Sequence, residues 1–250
     1  MKSGFAGLTA GWVLLLLCGG CNTPKPKPIA PPLVRPTAFW PLTPGIRWTY
    51  AGICIGGTNG VSTTNAICRT CAVLESRAQR GYLAVRMSNF PPALSPWEAA
   101  PTNTPYVLLR TPTGAWHAIE AGQARPILGR LADTKDPLDD LLTFETQVLA
   151  EPLRDGLRWG DPQAMQRLDG VGCWVVGAPR SEVVTNLVGV SKDWKLENYP
   201  IVYRTMPDQL ELQFASNIGI LAADYCHHGT PGEVHLKLIE FHQPNTAAGK

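Results

Sequence analysis

Residues 41–48 read Pro-Leu-Thr-Pro-Gly-Ile-Arg-Trp, and residues 152–159 read Pro-Leu-Arg-Asp-Gly-Leu-Arg-Trp. Both stretches fit the pattern P-L-x-x-G-[I/L]-R-W and begin 111 residues apart. Proline starts an extended segment, glycine permits a tight turn, and tryptophan is a large side chain for a core. We interpret each copy as the entrance to one of two related lobes, at 39–120 and about 145–243. The alternative is that two strand entrances converged on one turn chemistry.

The sequence around the two motifs is mainly strand-like. Apolar and polar residues alternate in the ranges 210–214 and 234–238, and a period of two marks half-buried antiparallel strands. Turn signals stand at 111–114 (Thr-Pro-Thr-Gly) and at Asn59-Gly60. One short helix is predicted to begin at residue 136, where aspartate can cap it and the following proline suits its first turn.

The first residues have the features of an export signal. Lys2 supplies a positive charge, and residues 5–17 form a mostly apolar stretch. That stretch is shorter than the roughly 20 apolar residues that cross a bilayer. Residues 1–20 are therefore predicted to be a signal peptide.

The segment Cys18-Gly19-Gly20-Cys21 resembles the lipobox of bacterial lipoproteins, in which small residues precede a cysteine. In that family the cysteine is diacylated and becomes the mature N-terminus, which implies lipidation of Cys21. Cys18 fits less well, because bulky Leu17 would stand at its cleavage point. Asn22, rather than aspartate, follows Cys21, which by analogy with enteric bacteria favours the outer membrane and a domain that faces the periplasm.

The segment after Cys21 is rich in proline. Residues 22–38 contain six prolines, which favour an extended linker with a reach of roughly 50 Å at about 3.1 Å per residue. Four of the 22 basic residues precede residue 39, which leaves 18 basic against 20 acidic residues after it. No basic stripe is present, so nucleic acid is not expected as a partner. A β domain is predicted at 39–243 and a flexible tail at 244–250.

The two ends of this domain resemble a broad set of uncharacterised bacterial lipoproteins. The opening is 39–50, FWPLTPGIRWTY, with the pattern P-L-x-x-G-x-x-W-x-Y, and the closing segment is 214–225, with Ile218-Gly219-Ile220 inside it. Such proteins are similar to the lipoprotein-carrier fold, in which a curved antiparallel sheet partly wraps a helix or an apolar cavity. The resemblance implies a mainly β fold with a curved, half-barrel-like antiparallel sheet, two related lobes and one or two short helices.

Cysteine chemistry is the sharpest open question in the sequence. Five cysteines follow Cys21, namely Cys54, Cys68, Cys71, Cys173 and Cys226. Structural disulfides among them are expected in an oxidising compartment, and the odd count leaves at least one cysteine without an intramolecular partner. The favoured pair joins Cys54 to Cys68 or Cys71, and a second pair joins Cys173 to Cys226. Redox catalysis by the C-x-x-C pair is disfavoured, because no helix N-terminus or β-α-β pattern adjoins it.

The stretch Cys226-His227-His228 allows an alternative interpretation of the cysteines, namely a metal site. With Cys68 and Cys71, Cys226 and His228 supply the thiolates and imidazole that zinc prefers, but the spacing is not a recognised one. We therefore predict no metal and no cofactor, and we keep as the alternative a metal-dependent envelope enzyme that uses Cys226, His227 and His228.

The remaining sequence supports no catalytic assignment. The patterns G-x-S-x-G, H-E-x-x-H and the P-loop are all missing from the sequence. The leading hypothesis is a non-catalytic, membrane-anchored envelope lipoprotein that binds an apolar ligand or an envelope protein on its sheet. A third hypothesis is a purely structural envelope component without a small ligand.

Overall fold

The computed structural model describes residues 38–58, 61–90, 106–120, 127–185, 187–189, 194–229 and 232–244, which all belong to one compact unit, Pro31–Lys250. The predicted signal peptide, Cys21, the linker up to residue 37, the turn at Asn59-Gly60 and the tail from residue 245 lie outside the described residues. None of the described helices has the length and apolar character that crossing a membrane requires.

Within the described ranges the chain forms thirteen strands. They are β1 (Arg47–Thr58), β2 (Val61–Gln79), β3 (Tyr82–Met87), β4 (Tyr106–Arg110), β5 (Ala115–Glu120), β6 (Gln147–Ala150), β7 (Arg158–Gly160), β8 (Cys173–Val176), β9 (Arg180–Val184), β10 (Trp194–Arg204), β11 (Asp208–Ala215), β12 (Gly219–His227) and β13 (Gly232–His242). One helix, α1 (Ile127–Arg130), and one 3₁₀ turn (Ala164–Gln166) complete the regular structure described.

The strands form one sheet in the order β6-β5-β4-β3-β2-β1-β13-β12-β11-β10-β8-β7, with β9 beside β10. The paired strands are antiparallel. β6 and β7 stand at the two ends of this order and contact each other, so the sheet curls into a nearly closed, barrel-like form. This confirms the predicted mainly β, curved antiparallel sheet. The sheet runs without a break through the described parts of both predicted lobes, and the division into lobes stays a prediction.

Burial along the strands follows the alternation in the sequence. Leu212 and Phe214 in β11 are buried, as are Val234, Leu236 and Leu238 in β13, while the polar residues between them are half-buried or exposed. Alternate side chains of a strand point to opposite faces of a sheet, so these apolar residues share the inner face. The two predicted strands are confirmed.

The predicted turn at residues 111–114 joins β4 to β5. The N–H of Gly114 donates to the carbonyl oxygen of Thr111 at 3.1 Å. Gly114 has a φ of +87°, a conformation that glycine adopts without a steric penalty. The glycine late in this turn therefore has the role that the sequence predicted.

Large aromatic side chains occupy the inner face of the sheet. The ring of Trp40 lies 5.6 Å from that of Trp116 and 5.5 Å from that of Phe214, measured between centroids. Trp48 and Phe241 lie 5.9 Å apart in the same way. These residues come from both halves of the chain and belong to one main core.

A second, smaller core covers the outer side of β4. Tyr106 and Leu108 of this strand point into the main core, whereas Val107 and Leu109 pack with Ile127 of α1. Both faces of β4 are thus buried, which explains its uninterrupted apolar sequence.

The helix predicted to begin at Asp136 does not form. Leu138 has a φ of +61°, outside the right-handed helical region, and its N–H donates to Oδ1 of Asp136 at 2.9 Å in a turn. Leu138 and Leu141 are buried in the second core. The apolar face predicted for this segment exists, but a turn presents it, and the described helix lies upstream at α1.

The first copy of the P-L-x-x-G-[I/L]-R-W motif leads into β1. Gly45 has a φ of +90°, and its N–H donates to the carbonyl oxygen of Val73 at 3.0 Å. The N–H of Val73 donates in return to the carbonyl oxygen of Ile46 at 2.9 Å. Trp48 follows, opposite Cys71 on β2.

The second copy leads into β7 with the same hydrogen bonds. Gly156 has a φ of +74°, its N–H donates to Val176 at 2.9 Å, and the N–H of Val176 donates to Leu157 at 2.9 Å. Trp159 follows, opposite Trp174 on β8. Trp48 and Trp159 are 2% and 4% exposed. The prediction that both tryptophans are buried is confirmed, and the relation between the two lobes stays a prediction.

Candidate functional site

The register of β1 and β2 contradicts the predicted disulfide of Cys54. Cys54 lies opposite Asn65, and Cys68 lies opposite Ala51, so Cys54 and Cys68 point to opposite faces of the sheet. Cys71 shares the face of Cys54 but stands six positions beyond Asn65, about 20 Å along the strand. The Cα atoms of a disulfide are usually less than about 7 Å apart. Both versions of this pair are therefore wrong.

The predicted pair of Cys173 and Cys226 is also wrong. Cys173 lies in β8 and Cys226 in β12, with β10 and β11 between these strands. Three steps between neighbouring strands separate the two residues by about 14 Å. Other pairings of the five cysteines stay a prediction.

The four residues of the weak metal alternative do not converge. Cys68 and Cys71 point to opposite faces of β2, and β1 and β13 separate this strand from β12, which ends just before His228. Burial raises the pKa of the Cys71 thiol to about 12. Within the described part of the chain, no group of three His, Cys, Asp or Glu side chains is placed to hold a metal ion.

The last residues of β12 divide between the two faces of the sheet. Tyr225 and His227 share one face, and Asp208 lies opposite His227 on β11. One carboxylate oxygen of Asp208 accepts the Tyr225 hydroxyl at 2.6 Å and pairs with Nδ1 of His227 at 2.8 Å. Desolvation raises the pKa of Asp208, but the hydrogen bonds from Tyr225 and His227 outweigh it, so the pKa lies below its usual value. The carboxylate thus ties the start of β11 to the end of β12.

Cys226 points to the other face, so it does not form one site with His227. On that face His235 lies between two carboxylates, at 2.8 Å from Asp224 and 3.0 Å from Glu233. These hydrogen bonds, first that of Asp224, raise the pKa of His235. All three side chains are between 39% and 47% exposed. This cluster is a solvated charge network, and the predicted trio of Cys226, His227 and His228 is not assembled into one site.

A groove on the outer face of the other half of the sheet brings arginines together. A single row across four neighbouring strands runs Arg158–Val175–Val202–Glu211. Valines form the floor of this groove, and charged side chains stand at its two sides. The groove has a volume of about 380 Å³, within the roughly 300–1,000 Å³ that small-molecule sites usually have. We call it the arginine groove; its charged lining residues are Arg158, Arg180, Arg204, Asp169 and Glu211.

The arginines are held in different ways. Nη1 of Arg158 donates to the carbonyl oxygen of Arg167 at 2.6 Å, which fixes this guanidinium against the loop between β7 and β8. Nε of Arg204 donates to the side chain of Gln209 at 3.2 Å. The side chain of Arg180 is exposed and makes no hydrogen bond or ion pair with another described side chain. Arg180 therefore has the most freedom to turn toward a ligand.

Two glycines let the walls of the groove come close to its floor. A Cβ at Gly170, which has a φ of +68°, would stand 3.2 Å from a methyl group of Val175. A Cβ at Gly177 would stand 3.0 Å from the ring of Pro200. Small residues at these two positions therefore keep the groove narrow.

The charge of the groove differs from that of the domain. The arginine groove has three arginines against two carboxylates, whereas acidic residues outnumber basic ones after residue 39. One of the carboxylates, Asp169, is already paired with Arg167 at 2.6 Å, and this bond lowers the pKa of Asp169 to about 2. The other, Glu211, accepts a hydrogen bond from Gln213 at 2.6 Å. The groove is thus locally basic.

A second hollow, of about 270 Å³, is mostly apolar. It lies between the β9 segment and β13, and its lining includes Val184, Leu187, Leu221 and Leu238. Its volume is below the usual range for small-molecule sites. The arginine groove is therefore the better candidate site.

The sequence analysis missed the arginine groove for a physical reason. Its three arginines, Arg158, Arg180 and Arg204, stand on three different strands, and successive ones are 22 and 24 positions apart along the chain. Only the register of four strands puts Arg158 in line with Val175 and Val202. The one local signal is that arginine stands at the first residue of β7 and of β9 and at the last residue of β10.

A comparison with solved structures finds two that are similar to this chain. A scan against protein-family models finds no match, and a search of curated proteins finds none. One similar structure is a "putative exported protein with YmcC-like fold" from Bacteroides fragilis, 13% identical over 82% of this chain and 99% of that one, with a TM-score of 0.37. Another is a "putative lipoprotein" from Parabacteroides distasonis, 12% identical over 83% of this chain and 100% of that one, with a TM-score of 0.34.

Proposed function

We propose that this protein is a non-catalytic envelope lipoprotein, anchored through Cys21 to the outer membrane and facing the periplasm, which binds an anionic ligand in the arginine groove. The observation that carries the binding role is the placement of three guanidinium groups around a valine floor. Guanidinium groups bind carboxylates and phosphates with two parallel hydrogen bonds, which makes arginine the preferred partner of such anions.

The interior of the sheet favours an external site over the predicted apolar cavity. At the level of Trp48 and Trp116 the described side chains fill the inner face themselves, and both tryptophans are 2% exposed. An apolar ligand there would have to displace packed aromatic rings, which cores resist. A ligand on the outer face meets no such barrier.

The ionisable clusters support a binding role over a catalytic one. Asp208 already accepts the hydrogen bonds of Tyr225 and His227, and His235 lies between two carboxylates. A catalytic base needs a reacting group within hydrogen-bond reach, and Cys226, the nearest thiol in sequence, lies on the opposite face from His227. The metal-dependent enzyme considered from the sequence therefore has no support in this geometry.

The anchor is tested by replacing Cys21 with alanine in the full chain and fractionating the cells. We expect the wild-type protein in the outer-membrane fraction and the C21A variant outside it, because the acyl chains supply the membrane affinity. Membrane retention of C21A, or a wild-type protein in the inner membrane, would contradict the proposed anchor or its location.

The groove is tested by isothermal titration calorimetry. The chain from Asn22 to Lys250 is titrated with inorganic pyrophosphate and, separately, with a soluble short-chain phosphatidylglycerol. We compare R180Q/R204Q, which removes two groove arginines, with R47Q/R77Q, which removes two exposed arginines elsewhere. A charge-assisted hydrogen bond contributes about 1.5–3 kcal/mol, so R180Q/R204Q is expected to weaken binding by about tenfold or more. Equal affinities of both variants, or no binding of either probe by the wild type, would reject the groove as an anion site.

A further inference from the structure

Three apolar side chains stand out from the described surface. Leu168, Met206 and Val61 are 98%, 83% and 66% exposed, more than any other large apolar residue described. Exposing an apolar side chain to water is unfavourable by about 1.5–3 kcal/mol relative to burying it. Single exposed apolar residues are common, but several at one place mark an interaction site.

All three residues lie at one end of the sheet. Val61 begins β2 in the β1–β2 hairpin, Met206 lies in the turn between β10 and β11, and Leu168 lies in the loop between β7 and β8. The antiparallel ladders from β1 through β13, β12 and β11 to β10 place the hairpin and the turn at the same end. The N–H of Gly172 donates to the carbonyl oxygen of Arg204 at 2.6 Å, which holds the Leu168 loop there too. We call Val61, Leu168 and Met206 the apolar rim.

Basic side chains accompany the rim. Arg204 stands two residues before Met206 and lines the arginine groove with Arg158 and Arg180, whereas Arg167, next to Leu168, is already paired with Asp169 at 2.6 Å. Leu168 also lines that groove. Protruding apolar side chains beside cationic ones are the combination that binds an anionic lipid surface, where the apolar groups enter the interface and the cations meet headgroups.

We infer that the apolar rim docks on a membrane surface that contains anionic lipid. The shape of the rim favours a bilayer over a protein partner. Its three residues project singly from separate turns, whereas a stable protein interface needs about 800 Å² per partner of continuous, complementary surface. A fluid lipid surface adapts to isolated tips. This inference goes beyond the proposed function, because the arginine groove can bind a small anion with the rim in water.

The position of the linker sets a condition on docking. The described chain begins at Ala38, whose N–H donates to the Asn217 side chain at 3.2 Å, in the turn at the opposite end of the sheet. β1 has 12 residues and spans about 40 Å. The reach of roughly 50 Å that the sequence predicts for a proline-rich linker of about 17 residues would be enough for an anchored domain to set its rim on the same membrane.

The test is co-sedimentation of the chain from Asn22 to Lys250 with vesicles. This chain lacks Cys21, the predicted acylation site, and contains the whole compact unit Pro31–Lys250. Vesicles of pure phosphatidylcholine are compared with vesicles that contain about one third phosphatidylglycerol. We expect binding to the anionic vesicles that weakens with added salt, because headgroup attraction is screened.

The decisive variant is V61N/M206N, which changes no residue that lines the arginine groove, with V183N/V188N as the matched control. Val183 and Val188 are 43% and 61% exposed and lie toward the other end of the sheet. V61N/M206N is expected to lower vesicle binding by about tenfold or more, while V183N/V188N binds like the wild type. Both pairs are surface changes, and near-ultraviolet circular dichroism confirms that each variant is folded.

The outcomes separate this inference from the proposed function. Loss of vesicle binding in V61N/M206N with unchanged pyrophosphate binding supports the rim as a membrane contact. A wild-type chain that does not bind anionic vesicles, or a V61N/M206N variant that binds them like the wild type, overturns the inference even if pyrophosphate still binds. Vesicle binding that depends on the rim, together with no pyrophosphate binding, would uphold the rim and reject the groove.

Discussion

Trp48 and Trp159 close the same eight-residue pattern and follow the same turn, but the surrounding sheet holds them differently. Trp48 stands in β1, which has β2 on one side and β13 on the other. Trp159 stands in the three-residue β7, at the end of the strand order, and pairs with β8. One copy of the motif thus lies at the centre of the sheet and the other at its edge.

The indole groups show the difference most directly. Nε1 of Trp48 donates to the carbonyl oxygen of Ile218 at 2.6 Å. Nε1 of Trp159 is buried and has no hydrogen-bond acceptor among the described residues, and its ring stacks on Trp174 with centroids 5.9 Å apart. A buried N–H without an acceptor costs about 1–3 kcal/mol.

The comparison separates what a short pattern determines from what it does not. The positive φ of Gly45 and Gly156 and the hydrogen bonds beside them are local, so the pattern reproduces them at both sites. The partner of the Trp48 indole lies 170 residues away along the chain. The pattern therefore fixes the turn, whereas distant strands determine how much each tryptophan stabilises the fold.

The largest expected effect comes from removing the two side chains. Large-to-small changes at buried tryptophan cost about 3–5 kcal/mol. We expect W48A near about 5 kcal/mol, since it also leaves the Ile218 carbonyl without its donor, and W159A near about 3 kcal/mol, since an edge strand can relax. Urea unfolding followed by far-ultraviolet circular dichroism measures both. Equal losses would mean that position in the sheet does not matter.

The second prediction concerns the pH dependence of the two edge strands, β6 and β7. His117 on β5 holds the segment before β6 through a 2.9 Å contact between Nδ1 and the Thr146 hydroxyl, whereas no such histidine is described beside β7. Burial lowers the pKa of His117 to about 4. The unfolded chain binds the proton near pH 6.5, so stability is full above that pH and falls as the pH drops toward about 4, by up to about 3 kcal/mol.

Hydrogen exchange between pH 7.5 and pH 4.5 measures this effect. Protection of β6 should fall with pH more than protection of β7. The H117N variant should flatten this part of the pH dependence, because it has no imidazole to protonate. Equal loss of protection at both edges in the wild type, or an unchanged slope in H117N, would contradict the assignment.

The smallest expected difference in stability comes from removing the indole N–H of each tryptophan while an aromatic ring is kept. W48F and W159F both lose ring area worth about 1 kcal/mol. W48F also leaves the buried carbonyl of Ile218 unpaired, which adds about 1–3 kcal/mol, whereas W159F removes a donor that has no described acceptor. We therefore expect W48F to be less stable than W159F by about 2 kcal/mol in denaturant unfolding. A W159F loss as large as that of W48F would show that the Trp159 N–H has a partner.

Local patterns predicted much of the fold. The alternation at 210–214 and 234–238 and the turn at 111–114 depend on neighbouring residues, and the structure confirms all three. The helix at Asp136 failed because Leu138 adopts a positive φ that tertiary packing imposes. Capping residues indicate where a helix can begin, but burial of Leu138 and Leu141 decided the backbone there.

The candidate site was harder to predict from the sequence than the fold was. Cys54 and Cys68 look like partners across a hairpin, but the register places Asn65 opposite Cys54, and one position of offset in a strand changes the face. Arg158, Val175 and Val202 form a row only because three strands align. Such rows depend on register across distant segments, which spacing along the chain does not reveal.

The pairing of β1 with β13 bears on the order in which the domain can be built. The first and the last strand meet in the middle of the sheet, with Arg47 opposite His242 and Gly56 opposite Gly232. A chain that is synthesised from its N-terminus therefore cannot complete its central ladder until its C-terminal strand has been made. Contacts so far apart in sequence form slowly and leave strand edges exposed meanwhile. The seam between β6 and β7, by contrast, joins neighbours in the chain, so a break there would leave every ladder of the sheet intact, while a short C-terminal truncation would open its centre.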